Sequence, residues 1–275
     1  MLSIRFDRPP VRLIFWICLA WVMLGQAPRA LASIGQWHSF TVSDGLIDSS
    51  VYVVRQDRSG ILWLGTNAGL NRFDGTFTVI ADAPALASGV YAIYEHADGS
   101  LWFGANAGLV RYSPTTQEWR TFTPEQGLVA PAVRAIAADA NGALWIGTTG
   151  GASRYDPHTG RWDNFTTANG LPNDHVNAIG VGPDQTIWLG TDQGVARYDP
   201  TVGAWSHLTT RDGLAGDRVQ AIYLDTAKAL WIGTATGVSR YIPITQQWQT
   251  FTTGDGLGAN FVWSIHQDHE GYLWF

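Results

Sequence analysis

Apolar and polar residues alternate along this chain in a pattern that recurs through most of its length. Each unit holds four short apolar runs typical of β-strands, separated by turn residues such as Asn-Gly, the strongest short hairpin signal. In one unit the four runs are Val133 to Ala138, Leu144 to Thr148, Ala152 to Tyr155 and Trp162 to Thr166. The pattern predicts a four-stranded antiparallel sheet in each unit.

Two series of tryptophans keep the period. Trp102, Trp145, Trp188, Trp231 and Trp274 are spaced by 43 residues, and Trp63 stands 39 before Trp102. The second series is Trp119, Trp162, Trp205 and Trp248, with Trp37 at the start. A fixed period of this length is typical of repeat architectures.

The recurring run LWIGT is apolar on both faces of its pleat, with Leu144 and Ile146 on one side and Trp145 on the other. Such a strand must be covered on both sides. Blades stacked around an axis supply that cover, so the sequence predicts an all-β fold, a β-propeller of four-stranded antiparallel blades. We expect these eleven tryptophans to serve packing.

The propeller domain is predicted over residues 33–275, with incomplete blades at its two ends. The five complete blades are expected at 51–80, 90–123, 133–166, 176–209 and 219–252. Trp37 to Thr41 is a candidate lone outer strand, and 261–267 and 272–275 are candidate inner strands. We expect a piece of a seven-bladed ring, truncated at its C-terminal end. The alternative is a six-bladed ring whose last blade the Trp37 strand completes.

Residues 1–32 have the features of a signal peptide. Arg5, Arg8 and Arg12 precede the apolar run Leu13 to Leu24, and Ala30-Leu31-Ala32 offers a cleavage site. The run is short for a membrane span, which needs about 20 apolar residues. An uncleaved anchor is the alternative. We therefore expect a periplasmic or extracellular domain, in a full-length protein anchored in the inner membrane.

Composition excludes several classes. The net charge is −6, and removing residues 1–32, with four Arg and one Asp, makes it −9. An acidic domain lacks the basic footprint that nucleic acid requires. Cys18 is the only cysteine and lies in the signal segment, so the mature chain has no disulfide or cysteine metal site. No P-loop, G-x-S-x-G or H-E-x-x-H motif occurs, and we expect no cofactor and no metal.

At these residues the chain resembles the two-component regulator propeller repeat family. The matching text is Gly142 to Thr148, Arg154 to Pro157, Trp162 to Thr166 and Asn169 to Pro172. The resemblance implies the periplasmic sensor region of a hybrid or histidine-kinase receptor. It also implies that Ig-like, membrane and kinase domains follow in the full protein, so no kinase activity is expected in this chain.

One position of the innermost strand varies while its neighbours stay fixed, in the pattern V-x-A-I. We call it the axial slot, and its occupants are Tyr52, Tyr91, Arg134, Asn177, Gln220 and Trp263. Packing does not demand such variety, whereas a concave binding site pairs aromatic side chains with a few polar ones. We therefore expect ligand contacts here.

The loops between blades also vary, and function concentrates in variable loops on a rigid scaffold. The candidate ligand contacts there are Asn173, Asp174, His175, Asp217, Arg218, Asn260 and Phe261. The turns after LWIGT emerge on the same rim and contribute Asn67, Asn106, Thr149, Asp192, Gln193 and Thr236.

The favoured function is extracytoplasmic sensing of a small polar ligand or an oligosaccharide for a two-component receptor. One alternative is an enzyme of the streptogramin-lyase propeller type, which would need a His and a Glu placed together on the rim. The other is a protein-binding propeller scaffold, which would favour bare aliphatic residues on the rim. Of the rim residues only His175 is a histidine, and no Glu occupies a matching loop.

Overall fold

The computed structural model describes residues 3–4 and 39–275, and five four-stranded antiparallel sheets make up most of the second range. In each sheet the strands lie side by side in chain order, and we number the sheets as blades 1 to 5. Blade 1 comprises Val51–Gln56, Leu62–Thr66, Leu70–Phe73 and Phe77–Val79. Blade 2 comprises Val90–Glu95, Leu101–Ala105, Gly108–Ser113 and Glu118–Phe122.

The next three sheets repeat this arrangement. Blade 3 comprises Val133–Ala138, Leu144–Thr148, Gly151–Asp156 and Arg161–Phe165. Blade 4 comprises Val176–Val181, Ile187–Thr191, Gly194–Asp199 and Ala204–Leu208. Blade 5 comprises Val219–Leu224, Leu230–Thr234, Val238–Ile242 and Gln247–Phe251. A partial blade 6 pairs His266–Gln267 with Leu273–Trp274, and Ser3–Ile4 lies antiparallel to the latter strand. The predicted propeller architecture is therefore confirmed.

Short 3-10 helices lie before blade 1 and between later blades. They are Val42–Asp44, Pro124–Gln126, Thr167–Asn169 and Thr253–Asp255, and a further one, Pro84–Ala87, follows blade 1. Each of the first four starts at a capping threonine and ends at a glycine with φ between 106° and 116°. A Cβ on Gly127 would lie 2.6 Å from the Trp162 ring. The glycine therefore serves both the left-handed cap and the packing of the outer tryptophan.

The hydrophobic core lies between blades. The cluster around Trp102 combines Leu109 and Phe122 of blade 2 with Val133 and Leu144 of blade 3. The five tryptophans from Trp63 to Trp231 on the second strands are at most 3% exposed, as predicted. The outer-strand tryptophans Trp119, Trp162, Trp205 and Trp248 are only half-buried, and each packs against a tyrosine of its own blade with ring centroids 4.4 to 4.7 Å apart.

At the glycine of each LWIGT-type strand, a valine side chain of the following blade packs closely against the backbone. A Cβ on Gly104, Gly147 or Gly190 would lie 2.5 to 2.8 Å from the Cγ1 atom of the first valine of the next inner strand. Those valines are completely buried. Glycine is required at these positions because the valine leaves no room for a Cβ atom. Backbone conformation does not require it, since none of the three glycines has a positive φ.

Two sequence predictions at the ends of the propeller differ from the structure. Residues 39–41 form no strand, because no described strand pairs with them, and Thr41 instead caps a 3-10 helix. Trp37 lies outside the described residues, as does the proposed signal peptide apart from the backbone of 3–4. Of the expected strand 261–267, only His266–Gln267 forms, paired with Leu273–Trp274. Residues 3–4 and 39–275 include no helix long and apolar enough to span a bilayer.

The close approach between blades predicts the effect of Gly190→Ala. The new methyl group would collide with the Cγ1 atom of Val219, 2.5 Å away, and overpacking of this kind costs about 1–3 kcal/mol. Denaturant unfolding should show that loss. Gly258→Ala is the control, because nothing lies within 4 Å of its Cβ position and its φ is not positive. The cost of Gly190→Ala should fall in a Val219→Ala background; strict additivity of the two losses would contradict the steric explanation.

Candidate functional site

The six axial-slot residues line a single cavity of about 620 Å³, together with Val51 and Ser264. In each of blades 1 to 5 the slot is the second residue of the innermost strand, where the ladder register shifts by one residue. In blade 3 the ladder pairs Val133 and Ala135 but skips Arg134. A bulge leaves its extra residue unpaired and redirects its side chain. The slot residue therefore takes no part in strand pairing, and its side chain is available to line the cavity.

A residue 15 positions further along the chain holds the slot side chain in three blades. Tyr52 donates to Asn67 (3.3 Å), Asn106 donates to Tyr91 (3.3 Å), and Asn177 donates to Asp192 (2.9 Å). These partners occupy the turn after the LWIGT strand, which the topology places beside the slot of the same blade. The turn residues thus hold the side chains that line the cavity.

Aromatic rings dominate one side of the cavity. The rings of Tyr52 and Tyr91 stack with centroids 4.8 Å apart, and the Arg134 guanidinium lies 4.1 Å from the Tyr91 ring. Trp263 is 72% exposed and packs against Phe261 at 4.5 Å. Tyr52 and Trp263 thus present apolar surface to the cavity that no described residue covers.

Polar groups cluster around Asp192 on the other side. Its Oδ1 accepts from Asn177 at 2.9 Å and lies 3.6 Å from Nε of Arg218, while Oδ2 lies 3.1 Å from Nδ1 of His175. Two rim residues singled out from the sequence, His175 and Arg218, therefore meet a slot residue through this one carboxylate. Asp192 was recognised in the sequence only as a turn residue.

Gln220 is the exception among the slots. Its Nε2 is buried and has no hydrogen-bond partner in the described chain. The residue 15 positions later is Ala235, whose methyl group offers no acceptor. An unpaired buried donor costs about 1–3 kcal/mol.

Four other rim candidates are bound to the chain's own backbone. Asp174 accepts from the amide of Thr167, Asp217 from Thr210, and Asn260 from Thr253, each at 2.6 to 2.8 Å. Asn173 accepts from the amide of His175 at 2.8 Å. The first three occupy one repeat position and fasten the loop to the turn before it, which gives a structural reason for their polarity.

A separate groove of about 690 Å³ opens on the outer side of blades 3 and 4, lined among others by Trp145, Arg154 and Asp163. The indole Nε1 of Trp145 has no partner among the described residues. In blades 1 and 5 the corresponding indole donates to an aspartate, whereas Oδ2 of Asp139 accepts from Arg154 instead. No signal in the sequence distinguished this blade from the others.

Sequence comparison identifies the repeats. Residues 45–68, 127–150 and 256–275 match the two component regulator propeller family. These three segments are similar to that family's repeat. A histidine kinase of Formosa agariphila is 53% identical over 47 residues, which is 17% of this chain and 3% of that protein.

Comparison of folds finds other propellers. A structure named as the extracellular domain of a hybrid two component system from B. thetaiotaomicron superimposes with a TM-score of 0.76 at 24% identity, over 83% of this chain and 32% of that one. A streptogramin B lyase gives 0.65 at 19% identity, over 84% and 77%. At these identities the likeness concerns the fold. The chain spans about a third of the first of these structures.

The orphan amide of Gln220 predicts a stabilising substitution. Ala235→Asn would place an acceptor where blades 1 and 4 have one, and the new hydrogen bond should raise the free energy of unfolding by about 0.5–1.5 kcal/mol. Denaturant unfolding measures it. In a Gln220→Ala background the same substitution should change nothing; an equal gain in both backgrounds would contradict the pairing.

Proposed function

We propose that this propeller is the extracytoplasmic ligand-sensing domain of a two-component receptor, and that a small polar molecule or an oligosaccharide binds in the axial cavity. One observation carries the proposal. The six side chains that vary most at a fixed repeat position all line the same cavity. Its volume of about 620 Å³ lies in the range of small-molecule sites, roughly 300–1,000 Å³.

Packing between the blades does not fix which residue type occupies the axial slot. The valine before each slot in blades 2 to 5 is fully buried, and the alanine after it in blades 2, 4 and 5 is at most 8% exposed. The slot itself lies in a bulge and turns toward the axis. Its identity is therefore set by what occupies the cavity rather than by blade packing.

The lining suits a sugar or a similar polar ring. Trp263 and Tyr52 offer exposed aromatic faces for the apolar face of a ring, while Arg134, Asn177 and Gln220 offer polar groups for hydroxyl and carbonyl groups. Aromatic faces combined with a few placed polar groups give both affinity and orientation.

The matches to a histidine kinase and to an extracellular two-component domain support the signalling context. In this proposal residues 1–32 direct export, the propeller binds ligand outside the cytoplasm, and Ig-like, membrane and kinase segments of the full protein carry the signal.

The lyase-type enzyme has less support, because His175 faces Asp192 rather than a Glu, and that carboxylate also binds Asn177. The protein-binding scaffold has less support because the rim side chains are aromatic and polar.

Trp263 provides the test of ligand binding. Cellotriose, maltotriose and trigalacturonic acid are titrated against the full chain by calorimetry and by thermal melting. We expect at least one to bind and raise Tm, and Trp263→Ala to weaken it roughly tenfold, equivalent to about 1.4 kcal/mol. Ile244→Ala is the matched control, since Ile244 is an apolar side chain 88% exposed outside the cavity. The proposal fails if no sugar binds or if Trp263→Ala binds as the wild type does.

Export is tested by fusing residues 1–275 to a phosphatase that is active only outside the cytoplasm. We expect an active fusion whose mature protein starts at Ser33 by mass spectrometry, and an inactive fusion when residues 1–32 are deleted. Retention of the N-terminal segment in an active fusion would identify an uncleaved anchor. Activity without residues 1–32 would refute the assignment.

A further inference from the structure

Arg134 brings a positive charge into the axial cavity, and no carboxylate of the described residues pairs with it. Its side chain is half-buried, and none of the ion pairs among the described residues includes it. Asp192, the carboxylate of the neighbouring rim, already faces Arg218 and His175. The cavity therefore retains one unneutralised cation in a chain whose net charge is −6.

The environment of Arg134 does not compensate for this burial. Loss of water around the guanidinium lowers the pKa of Arg134, and the Tyr91 and Tyr52 hydroxyls oppose this shift. Its contacts are the Tyr91 ring, the Asn106 side chain and the Val133 carbonyl, all of them uncharged. A partly desolvated charge without a partner is costly.

The guanidinium is also fixed in orientation. One face lies on Tyr91 at 4.1 Å, and Nη1 donates to Oδ1 of Asn106 at 3.0 Å and to the Val133 carbonyl at 3.4 Å. Both hydrogen bonds use Nη1, and Nε and Nη2 donate to no described residue. That free edge is a planar pair of donors, the geometry that binds an oxyanion through two parallel hydrogen bonds.

We propose that the axial cavity selects a ligand bearing an oxyanion, and that this group binds the Nε and Nη2 edge of Arg134. The inference rests on the proposed sensing function and names its ligand class: an acidic sugar or another ring carrying a carboxylate, sulfate or phosphate group. Asn106 and Tyr91 are positioning residues that hold the guanidinium, while Tyr52 and Trp263 contact the uncharged part of the ligand.

The charge of the rest of the chain supports this selectivity. An acidic surface repels anions at long range, and a single uncompensated cation at the axis is then the group that distinguishes an anionic ligand from a neutral one. The aromatic faces alone would accept both kinds. Binding through Arg134 should also weaken as salt is raised, because screening reduces the attraction.

The experiment compares glucuronate, glucose 6-sulfate and glucose 6-phosphate with glucose as the neutral reference. Binding to the full chain is followed by calorimetry and by the ¹⁵Nε NMR signal of Arg134, identified by its loss in Arg134→Gln. We expect at least one oxyanion probe to shift that signal and to bind about tenfold or more tightly than glucose. The three acids distinguish carboxylate from sulfate and phosphate as the preferred group.

Arg134→Gln should remove the preference for the acid, and Arg134→Lys should restore part of it, because lysine keeps the charge but loses the planar pair of donors. Arg120→Gln is the matched control: Arg120 also lies over an aromatic ring, that of Phe122 at 4.7 Å, but outside the cavity. Circular dichroism melting of each variant shows whether it folds, and the ¹⁵Nε signal, once assigned, reports contact with the probe in the wild type itself.

Two results would overturn the inference: no probe shifts the Arg134 signal, or acid and neutral probes bind equally to wild type and Arg134→Gln. If cellotriose or maltotriose binds in a Trp263-dependent way while the acids do not, the sensing proposal stands and the oxyanion inference fails. If no sugar of either kind binds, both fail.

Discussion

The contact between a glycine of one blade and a valine of the next is the constraint on which this propeller depends. The second strand of each blade lacks a Cβ where the neighbouring inner strand approaches, so the valine Cγ1 atom fills that space. The contact recurs at Gly65, Gly104, Gly147, Gly190 and Gly233. It sets the spacing of the blades, and the tryptophans on either side then fill the interior between them.

The same inner strand carries a residue that packs between blades and, next to it, a residue that lines the cavity. Its valine faces the neighbouring blade, and the bulge directly after that valine turns one side chain to the axis. A bulge is favourable here because it frees a side chain without breaking the sheet. The slot can therefore carry Tyr91, Arg134, Asn177 or Gln220 on the same backbone. The turn 15 residues later bonds Tyr91 through Asn106 and Asn177 through Asp192, whereas Ala235 offers Gln220 no acceptor.

Much of the fold follows from the sequence because its signals are local and repeated. The LWIGT runs gave their strands and their burial on both faces, and the five complete blades lie within a residue or two of their predicted bounds. The errors fall where a strand depends on a distant partner. Residues 39–41 and 261–265 have the composition of strands, but no described strand forms a ladder with them, and Val262 makes only a single backbone hydrogen bond to Thr234 of blade 5. Composition indicates a tendency to form a strand, whereas pairing decides it.

The sequence by itself determined the repeat, the blade and the set of six variable slot residues, since each is encoded at a fixed spacing. Only the tertiary structure decided that these residues share one cavity, that His175 and Arg218 meet at Asp192, and that Asp174, Asp217 and Asn260 bind the backbone instead. It also decided that, within residues 39–275, Arg134 has no counter-charge and the Gln220 amide no acceptor. The physical reason is that a partner lies in another blade or beyond a turn, so its distance and direction depend on how whole sheets pack around the axis.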